Sequence, residues 1–452
     1  MTDSGISGLI VRPLNVHGDN RGWFKENWAG EPPMRVAQNN VSFNASRGAT
    51  RGMHAEPWDK YVSVATGRVW GAWVDLREGS PTFGATFGCE IGPDTAVFVP
   101  RGVANGFQAL EDNTTYIYLC SSRWSPDAQY SFSSYTEIDW PLEPTEVSDK
   151  DKGHPLLIDA TPVPPRKVLV TGANGQLGRA LQSLPGTEHW DFAGREELDV
   201  TGSVDKLRAS RDWGQYSAII NAAAYNDVNG AETGEGRAGA WAVNAVAPGK
   251  LAAIANEFGL TLVHVSTDFV FDGSVEVHPE SEVPSPLSVY GASKSAGEAA
   301  AMVAAQHFIV RTSWVFGDGA NFVATMARLA RGGVDPAVVR DQRGRPTWAD
   351  DLAKGIVHLM DTGAAYGIYN LSSGGDVVGR DELTMAVFAG VGEDPARVQP
   401  VTTEEWARIS AANGTHEADR PKESTLALDK IEATGFTPTN WRVALALYLA
   451  DL

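Results

Sequence analysis

Cysteine is nearly missing from this 452-residue chain, which has only Cys89 and Cys120, too few for a disulfide framework or a thiolate metal cluster. Positive charge is also short, with 37 Lys and Arg against 56 Asp and Glu and a formal net charge of −19. A nucleic-acid backbone is therefore an unexpected partner, while a small anion held by local Arg and Lys residues stays open. Long apolar runs are absent too. The opening MTDSGISGLI lacks a basic stretch followed by an apolar one, and no 18-residue apolar span follows, so a cytoplasmic protein with no membrane partner is expected. Glycine (47) and proline (25) are plentiful, as are rings (14 Trp, 11 Tyr) that could stack on a planar ligand.

The length calls for two or three domains. From 58 to 75 the text WDKYVSVATGRVWGAWVD alternates β-branched and aromatic runs with glycine. TAVFVP (95–100) and TTYIYLC (114–120) continue that rhythm, which predicts an all-β sandwich or barrel of about 150 residues. DATPVPPR (159–166) carries three prolines and is read as the boundary, giving domains at 1–158 and 166–452 with a proline-rich linker at 159–165. Beyond it, KVLVTG (167–172), QLGRALQSL (176–184), SAIINAAA (217–224), AVNAVAPGKLAAIANEFG (242–259) and TLVHVST (261–267) alternate strand with helix. Such βα repetition predicts an α/β domain with a mostly parallel sheet covered by helices.

GANGQLG (172–178) places Gly172, Gly175 and Gly178 three residues apart between a strand and a helix. Glycines there allow a tight turn and let the helix N-terminus present free N–H groups to a pyrophosphate; Asn174, Gln176 and Leu177 fall in the same loop. HWDFAGREELDV (189–200) has no clean acid for a ribose 2′-hydroxyl. Asp191 comes early, while Arg195 suits a 2′-phosphate, which favours NADPH with NADH as the alternative; Asp199 and Val200 are candidates to border the adenine.

SVYGASK (288–294) sets Tyr290 and Lys294 four apart at a helix start, on one face. There the ammonium can lower the phenol pKa, the phenol can protonate a developing alkoxide, and Thr267, ending the preceding strand, can hold the carbonyl oxygen. With VTGANGQLG, INAAAYNDV, VHVSTDFVFDG, RTSWVFG, DQRGRPTWADDLA and a late RPKEST, residues 166–452 resemble the extended short-chain dehydrogenases, specifically the dTDP-4-dehydrorhamnose reductases. The resemblance implies a Rossmann domain with a smaller substrate-binding subdomain and catalysis by Thr267, Tyr290 and Lys294. It also implies cofactor contacts along Ala222, Ala223, Ala224 and Tyr225 and near Arg311 and Thr312, Asn244 on the helix backing the site, and substrate contacts from Asp268, Trp314 and Asn321. Phe269 stands where the family usually keeps Tyr.

RGMHAEPWDKYVSV from Arg51, NRGWFKE (20–26), FVPRGVANGF (98–107) and SDKDKGHPLL (148–157) make residues 5–158 resemble the dTDP-4-dehydrorhamnose 3,5-epimerases. That implies a cupin-like jelly roll, usually a homodimer. It also implies that His54 removes a proton α to a C4 ketone, that Asp151 orients it, that Arg51 and Lys60 stabilise the enolate, and that Arg21 and Glu26 address the nucleotide. Two positions depart: Asn105 replaces a usual His and Trp124 the usual acid Tyr, leaving Tyr118 or water as a substitute donor and epimerisation of one carbon as an alternative. His17 and His154 lie near the domain's ends and form no spaced ligand set with His54, so no catalytic metal is expected; a Mg ion supporting assembly stays open. Together the two resemblances imply NAD(P)H-dependent conversion of a dTDP-linked 4-keto-6-deoxy sugar to dTDP-L-rhamnose; the alternative is a reductase for a different dTDP-deoxysugar whose front domain epimerises one centre or only binds the nucleotide sugar.

Overall fold

The computed structural model describes residues 4–30, 34–126, 128–415 and 417–452. The chain divides into two compact units, Met1–Arg166 and Lys167–Leu452.

In the first unit the β-branched and aromatic runs pair into two five-stranded antiparallel sheets. One has the order Ile10–Pro13, Thr95–Val99, Lys60–Thr66, Thr114–Cys120, Gln38–Asn44. The other has the order Ser131–Phe132, Thr50–Ala55, Val103–Ala109, Val69–Asp75, Thr86–Ile91. Val62, Val64 and Val97 from one sheet meet Trp73, Val103 and Phe107 from the other in a closed apolar core, the cupin-like jelly roll. The hairpin of Val16–Asp19 and Gly22–Lys25 is separate from both sheets. Residues 159–165, read as a linker, are tied down on this unit. Val163 is buried, its N–H donates to Leu76 O, its carbonyl accepts from Glu78 N, and Pro164 O accepts from Arg101. Prolines exclude this segment from a central strand, yet their free carbonyls still anchor it.

The second unit carries a six-stranded sheet in the order Asp191–Ala193, Lys167–Thr171, Tyr216–Asn221, Thr261–Thr267, His307–Thr312, Gly367–Asn370, parallel throughout. Its strands are apolar on both faces because helices cover both: Leu177 and Leu181 of helix Gln176–Gln182 pack on Val168 and Val170, and Leu251 and Ile254 of helix Ala247–Phe258 pack on Leu169 and Ile219. The second helix stops at Gly259, which takes the left-handed conformation that closes a helix (φ 68°). Strand order reverses between Lys167–Thr171 and its two neighbours, and ligands of such sheets bind beyond the strand ends at that reversal. A smaller subdomain has its own core, with Phe316, Val323, Phe388, Trp441 and Leu445 from helices Phe322–Arg331, Arg380–Gly390 and Trp441–Ala450 and their flanks. Among the described residues no helix is long and apolar enough to cross a membrane.

Two candidate active sites

In the first unit His54 lies on strand Thr50–Ala55, paired with Asn105 on one side and Phe132 on the other. The short helix Asp149–Lys152, capped by the Ser148 hydroxyl, brings Asp151 to it, and His54 Nε2 lies 2.9 Å from Asp151 Oδ1. Asp151 Oδ2 accepts the Gly52 N–H at 3.0 Å. Gly52 is required at this point: its φ is +125°, and a Cβ there would stand 2.5 Å from Gly106 Cα on the adjacent strand. Burial raises the Asp151 pKa, but the bonds from His54 and the Gly52 N–H outweigh it and hold the carboxyl at about 2. An ionised carboxylate thus faces one ring nitrogen of His54 and orients the ring, leaving the other nitrogen as the one that can take a proton.

His154 corrects the expectation that it stands apart from His54. The chain end folds back so that His154 packs edge-on to His54 (ring centroids 5.3 Å) and stacks on Phe132 (4.6 Å), and one ligand atom each of His54, Asp151 and His154 lie within 4.8 Å of one another. Both His154 ring nitrogens are buried without a hydrogen bond, and burial lowers its pKa. This donor set is open to a divalent ion, although the 2.9 Å contact between Asp151 and His54 is already that of a hydrogen bond.

The opposite sheet contributes Lys60, Tyr118 and Tyr116. Lys60 is buried, pairs with Glu56 and sits 5.7 Å from the Tyr118 ring centre. Burial raises the Tyr118 phenol, keeping it a neutral donor. Asn105 is buried and accepts from Tyr116 Oη at 3.3 Å. Arg51 bonds Asn44 Oδ1 at 3.0 Å. Trp124 is 62% exposed and so stands largely in solvent, offering no phenol. Arg21 lies on the separate hairpin and pairs with Asp19, with Glu26 just past it, and neither makes a hydrogen bond or ion pair to the His54 group among the described residues.

In the second unit Gly172 takes φ +72° at the end of the first strand, and a Cβ there would lie 2.7 Å from the Ala222 carbonyl and Ala223 N. A Cβ on Gly178 would lie 2.5 Å from the carbonyl oxygens of Gly172 and Ala173, so helix and strand meet only because it is glycine. Gly175, by contrast, faces space, with only Gly172 O near at 3.3 Å, and no side chain caps the following helix. Gln176 Oε1 is buried without a partner. A cradle of free N–H groups with an orphan polar atom beside it fits a dinucleotide pyrophosphate. Asn174 approaches Gly194 at the end of the second strand, which puts the exposed Arg195 next to the same loop. Asp191 is used elsewhere, by Lys167 (3.1 Å) and the Tyr216 hydroxyl (2.5 Å). Asp199 folds onto Thr201, and the Val200 side chain is buried in the core beside Leu198 and Leu207.

Tyr290 and Lys294 lie one turn apart on helix Val289–Ala301, both buried, and the Ser288 hydroxyl caps that helix. Burial raises the Tyr290 phenol and the Asp268 charge adds to it, against the neighbouring Thr267 hydroxyl. The expected lowering by Lys294 is not what this phenol shows; its net displacement is upward, from burial and the Asp268 charge together. Lys294 itself is pulled down to about 8 by burial, with Glu298 opposing, and its Nζ donates to Val265 O at 2.5 Å. Asn244, in a π-helical segment Trp241–Val246, ties the backbone of Tyr225 (2.9 and 3.1 Å) to Ser293 Oγ (3.1 Å), fixing the Ala222–Tyr225 loop against the Tyr290 helix. Thr267 donates to Asp268 Oδ1 at 2.8 Å, while Asp268 Oδ2 is buried without a hydrogen bond. Phe269 meets Tyr290 edge-on at 5.6 Å.

Two expected contact residues are committed to the scaffold. Arg311 forms a buried bidentate pair with Glu298 (2.9 and 2.8 Å). Asn321 caps helix Phe322–Arg331 through Ala324 N and donates to Gly317 O, Gly319 O and Tyr448 Oη. Thr312 bonds Thr347 at 3.2 Å. Trp314, by contrast, keeps a left-handed backbone (φ 46°) and stacks on Arg380 at 4.4 Å. Neither Arg380 nor Arg420 of RPKEST is singled out by the sequence reading, yet charges of Asp268 and Arg420 both act on Arg380. An isolated arginine beside a helix start carries no local signal.

Residues 166–452 match the family described as RmlD substrate binding domain, and residues 3–159 match the family described as dTDP-4-dehydrorhamnose 3,5-epimerase. A dTDP-4-dehydrorhamnose reductase of Mycobacterium tuberculosis is 39% identical over 297 residues, 63% of this chain and 92% of that protein. Protein RmlC homolog of Streptococcus pyogenes serotype M6 is 47% identical over 180 residues, 36% of this chain and 90% of that protein. The crystal structure of dTDP-4-dehydrorhamnose reductase from Bacillus anthracis in complex with NADP superposes with a TM-score of 0.58 at 34% identity, covering 64% of this chain and all of that one.

Proposed function

We propose, from the premise that this chain belongs to the RmlD substrate binding domain family over residues 166–452 and to the dTDP-4-dehydrorhamnose 3,5-epimerase family over residues 3–159, that it performs two consecutive steps toward dTDP-L-rhamnose. Residues 1–158 epimerise a dTDP-linked 4-keto-6-deoxy sugar, and residues 166–452 reduce its C4 ketone with NAD(P)H. The observation that carries the reading is that each unit keeps a complete proton-handling pair, His54 with Asp151 at 2.9 Å and a buried phenol, Tyr290, one turn from Lys294.

In the first step His54 takes the proton α to the ketone while the Asp151 carboxylate holds the ring and favours the imidazolium that forms. Lys60 and Arg51 face the enolate oxygen. Return of a proton to the opposite face inverts the carbon, with the Tyr118 phenol on the opposite sheet as its source. Trp124 favours a second reading, in which only one of C3 and C5 is inverted, because an indole is no general acid.

In the second step Gly172, Gly175, Gly178 and Gln176 would hold the dinucleotide and Arg195 would address a 2′-phosphate; when bound, the cofactor would supply a hydride to C4. Thr267 and Tyr290 hold the carbonyl oxygen, and Tyr290, kept protonated by burial, delivers a proton to it; Lys294 supports the phenolate left behind. Asp268 and Trp314 position the sugar.

A homodimer through the first unit accompanies this reading, supported by Trp23 and Phe24 on the hairpin and Val41 and Phe43 on the edge strand, all exposed. Two unpaired cysteines accord with a reducing cytoplasm. The test is incubation with dTDP-4-dehydro-6-deoxy-glucose in deuterated water, with and without NADPH. Deuterium at C3 and C5 and a dTDP-L-rhamnose product are expected. Deuterium at one carbon selects the second reading, and no NADPH oxidation with any epimer refutes the reductase assignment.

A further inference from the structure

Arg380 is a cation that the proposed steps do not use. It opens helix Arg380–Gly390, and its guanidinium lies over the rings of Trp314 (4.4 Å) and Phe322 (5.4 Å). Its Nε is buried without a partner, and among the described residues its side chain makes no hydrogen bond and no ion pair within 4 Å. A half-buried guanidinium with a buried, unpaired Nε is completed by an anion. Two charges act on Arg380, that of Asp268, which neighbours Thr267 and Tyr290, and that of Arg420. Trp314, on which Arg380 stacks, and Ser424 of RPKEST both stand within 3.3 Å of a Cβ built on Gly344. Arg420 is itself anchored by Asn229 Oδ1 (3.2 Å) and Glu417 (3.4 Å), and Asn229 also holds Ala418 N and Glu417. That network fixes the RPKEST loop to the loop that follows strand Tyr216–Asn221.

We propose that Arg380, with Arg420 near it, binds the diphosphate of the nucleotide sugar and thereby sets which end of the hexose reaches Tyr290. This rests on the reductase reading and deepens it. C1 of a hexopyranose, which bears the diphosphate, lies across the ring from C4, so an anion held at Arg380 leaves C4 pointing back toward Asp268, Thr267 and Tyr290. Stacking on Trp314 keeps the planar fork flat and its edge free, an arrangement that matches two phosphate oxygens and that a lysine cannot copy.

The test uses the full chain in the reverse direction, dTDP-L-rhamnose with NADP+, so that only the second unit is read. Inhibition by dTDP is compared with inhibition by thymidine, which lacks the phosphates. In Arg380→Gln the inhibition constant of dTDP rises at least tenfold, that of thymidine stays within twofold and the KM of NADP+ is unchanged; Arg380→Lys falls between. If dTDP inhibits Arg380→Gln as well as wild type, or if dTDP and thymidine weaken together, Arg380 is only a support for Trp314 and the proposal fails. An unchanged KM for NADP+ guards against misfolding. Should wild type not oxidise the sugar at all, the reductase reading itself falls, and the titration of dTDP into NADPH-saturated wild type and Arg380→Gln decides separately: equal isotherms overturn the diphosphate site, and loss of one binding step in the variant supports it.

Discussion

Replacing Asp151 by Asn removes the charge that orients His54 while keeping the shape. The carboxyl has a pKa of about 2 against an ordinary 3.8, and at about 1.4 kcal/mol per pH unit this corresponds to roughly 2 kcal/mol of preference for the ionised pair. Part of that preference is owed to the Gly52 N–H, so the share acting on His54 is smaller than the whole. Loss of it slows proton abstraction by about tenfold and at most about thirtyfold, since 1.4 kcal/mol is a factor of ten. The assay is solvent deuterium incorporation into dTDP-4-dehydro-6-deoxy-glucose without NADPH, followed by NMR. The same residue has a signature in stability. Its folded pKa is depressed, so its contribution is present above the unfolded value near 4 and is lost as pH falls toward 2. The first unit of wild type should therefore lose roughly 2 kcal/mol across that window, and Asp151→Asn should lose less. Exchange slowed less than threefold, with an unchanged acid transition, would refute the reasoning.

Tyr290→Phe should bind NADPH as wild type and reduce ketone at least tenfold more slowly, and normal turnover would remove the phenol from the mechanism. Because Lys294 sits at about 8, the reduction rate should fall as pH rises through that value, and Lys294→Met should be slow at every pH with no such limb. Gly178→Ala puts a Cβ 2.5 Å from two carbonyl oxygens and should destabilise the second unit by about 1–3 kcal/mol in thermal unfolding. Gly175→Ala, where the Cβ meets only Gly172 O at 3.3 Å, should leave the melting temperature near wild type while weakening NADPH binding, as read by fluorescence titration.

Much of this protein was legible as a string because the features concerned are local. Strand–glycine–helix at 167–182 and Tyr290 with Lys294 are set by spacing along one turn or one helix face, and the two family resemblances rest on contiguous text. The π-helical register that aims Asn244 has no such local mark, since its six residues look like ordinary helix. Other outcomes depended on long closures. His54 meets Asp151 across 97 positions, His154 arrives with it, and Arg380 stacks on Trp314 from a different segment. Asn321 and Arg311 show the converse: residue types suited to ligand contact were claimed by a helix cap and by a buried carboxylate. The sequence by itself determined the two folds and the local chemistry of their loops, because periodicity and glycine placement dictate backbone conformation. Only the tertiary structure decided which buried charges are paired and which have no partner among the described residues, because that depends on what distant segments bring within about 4 Å.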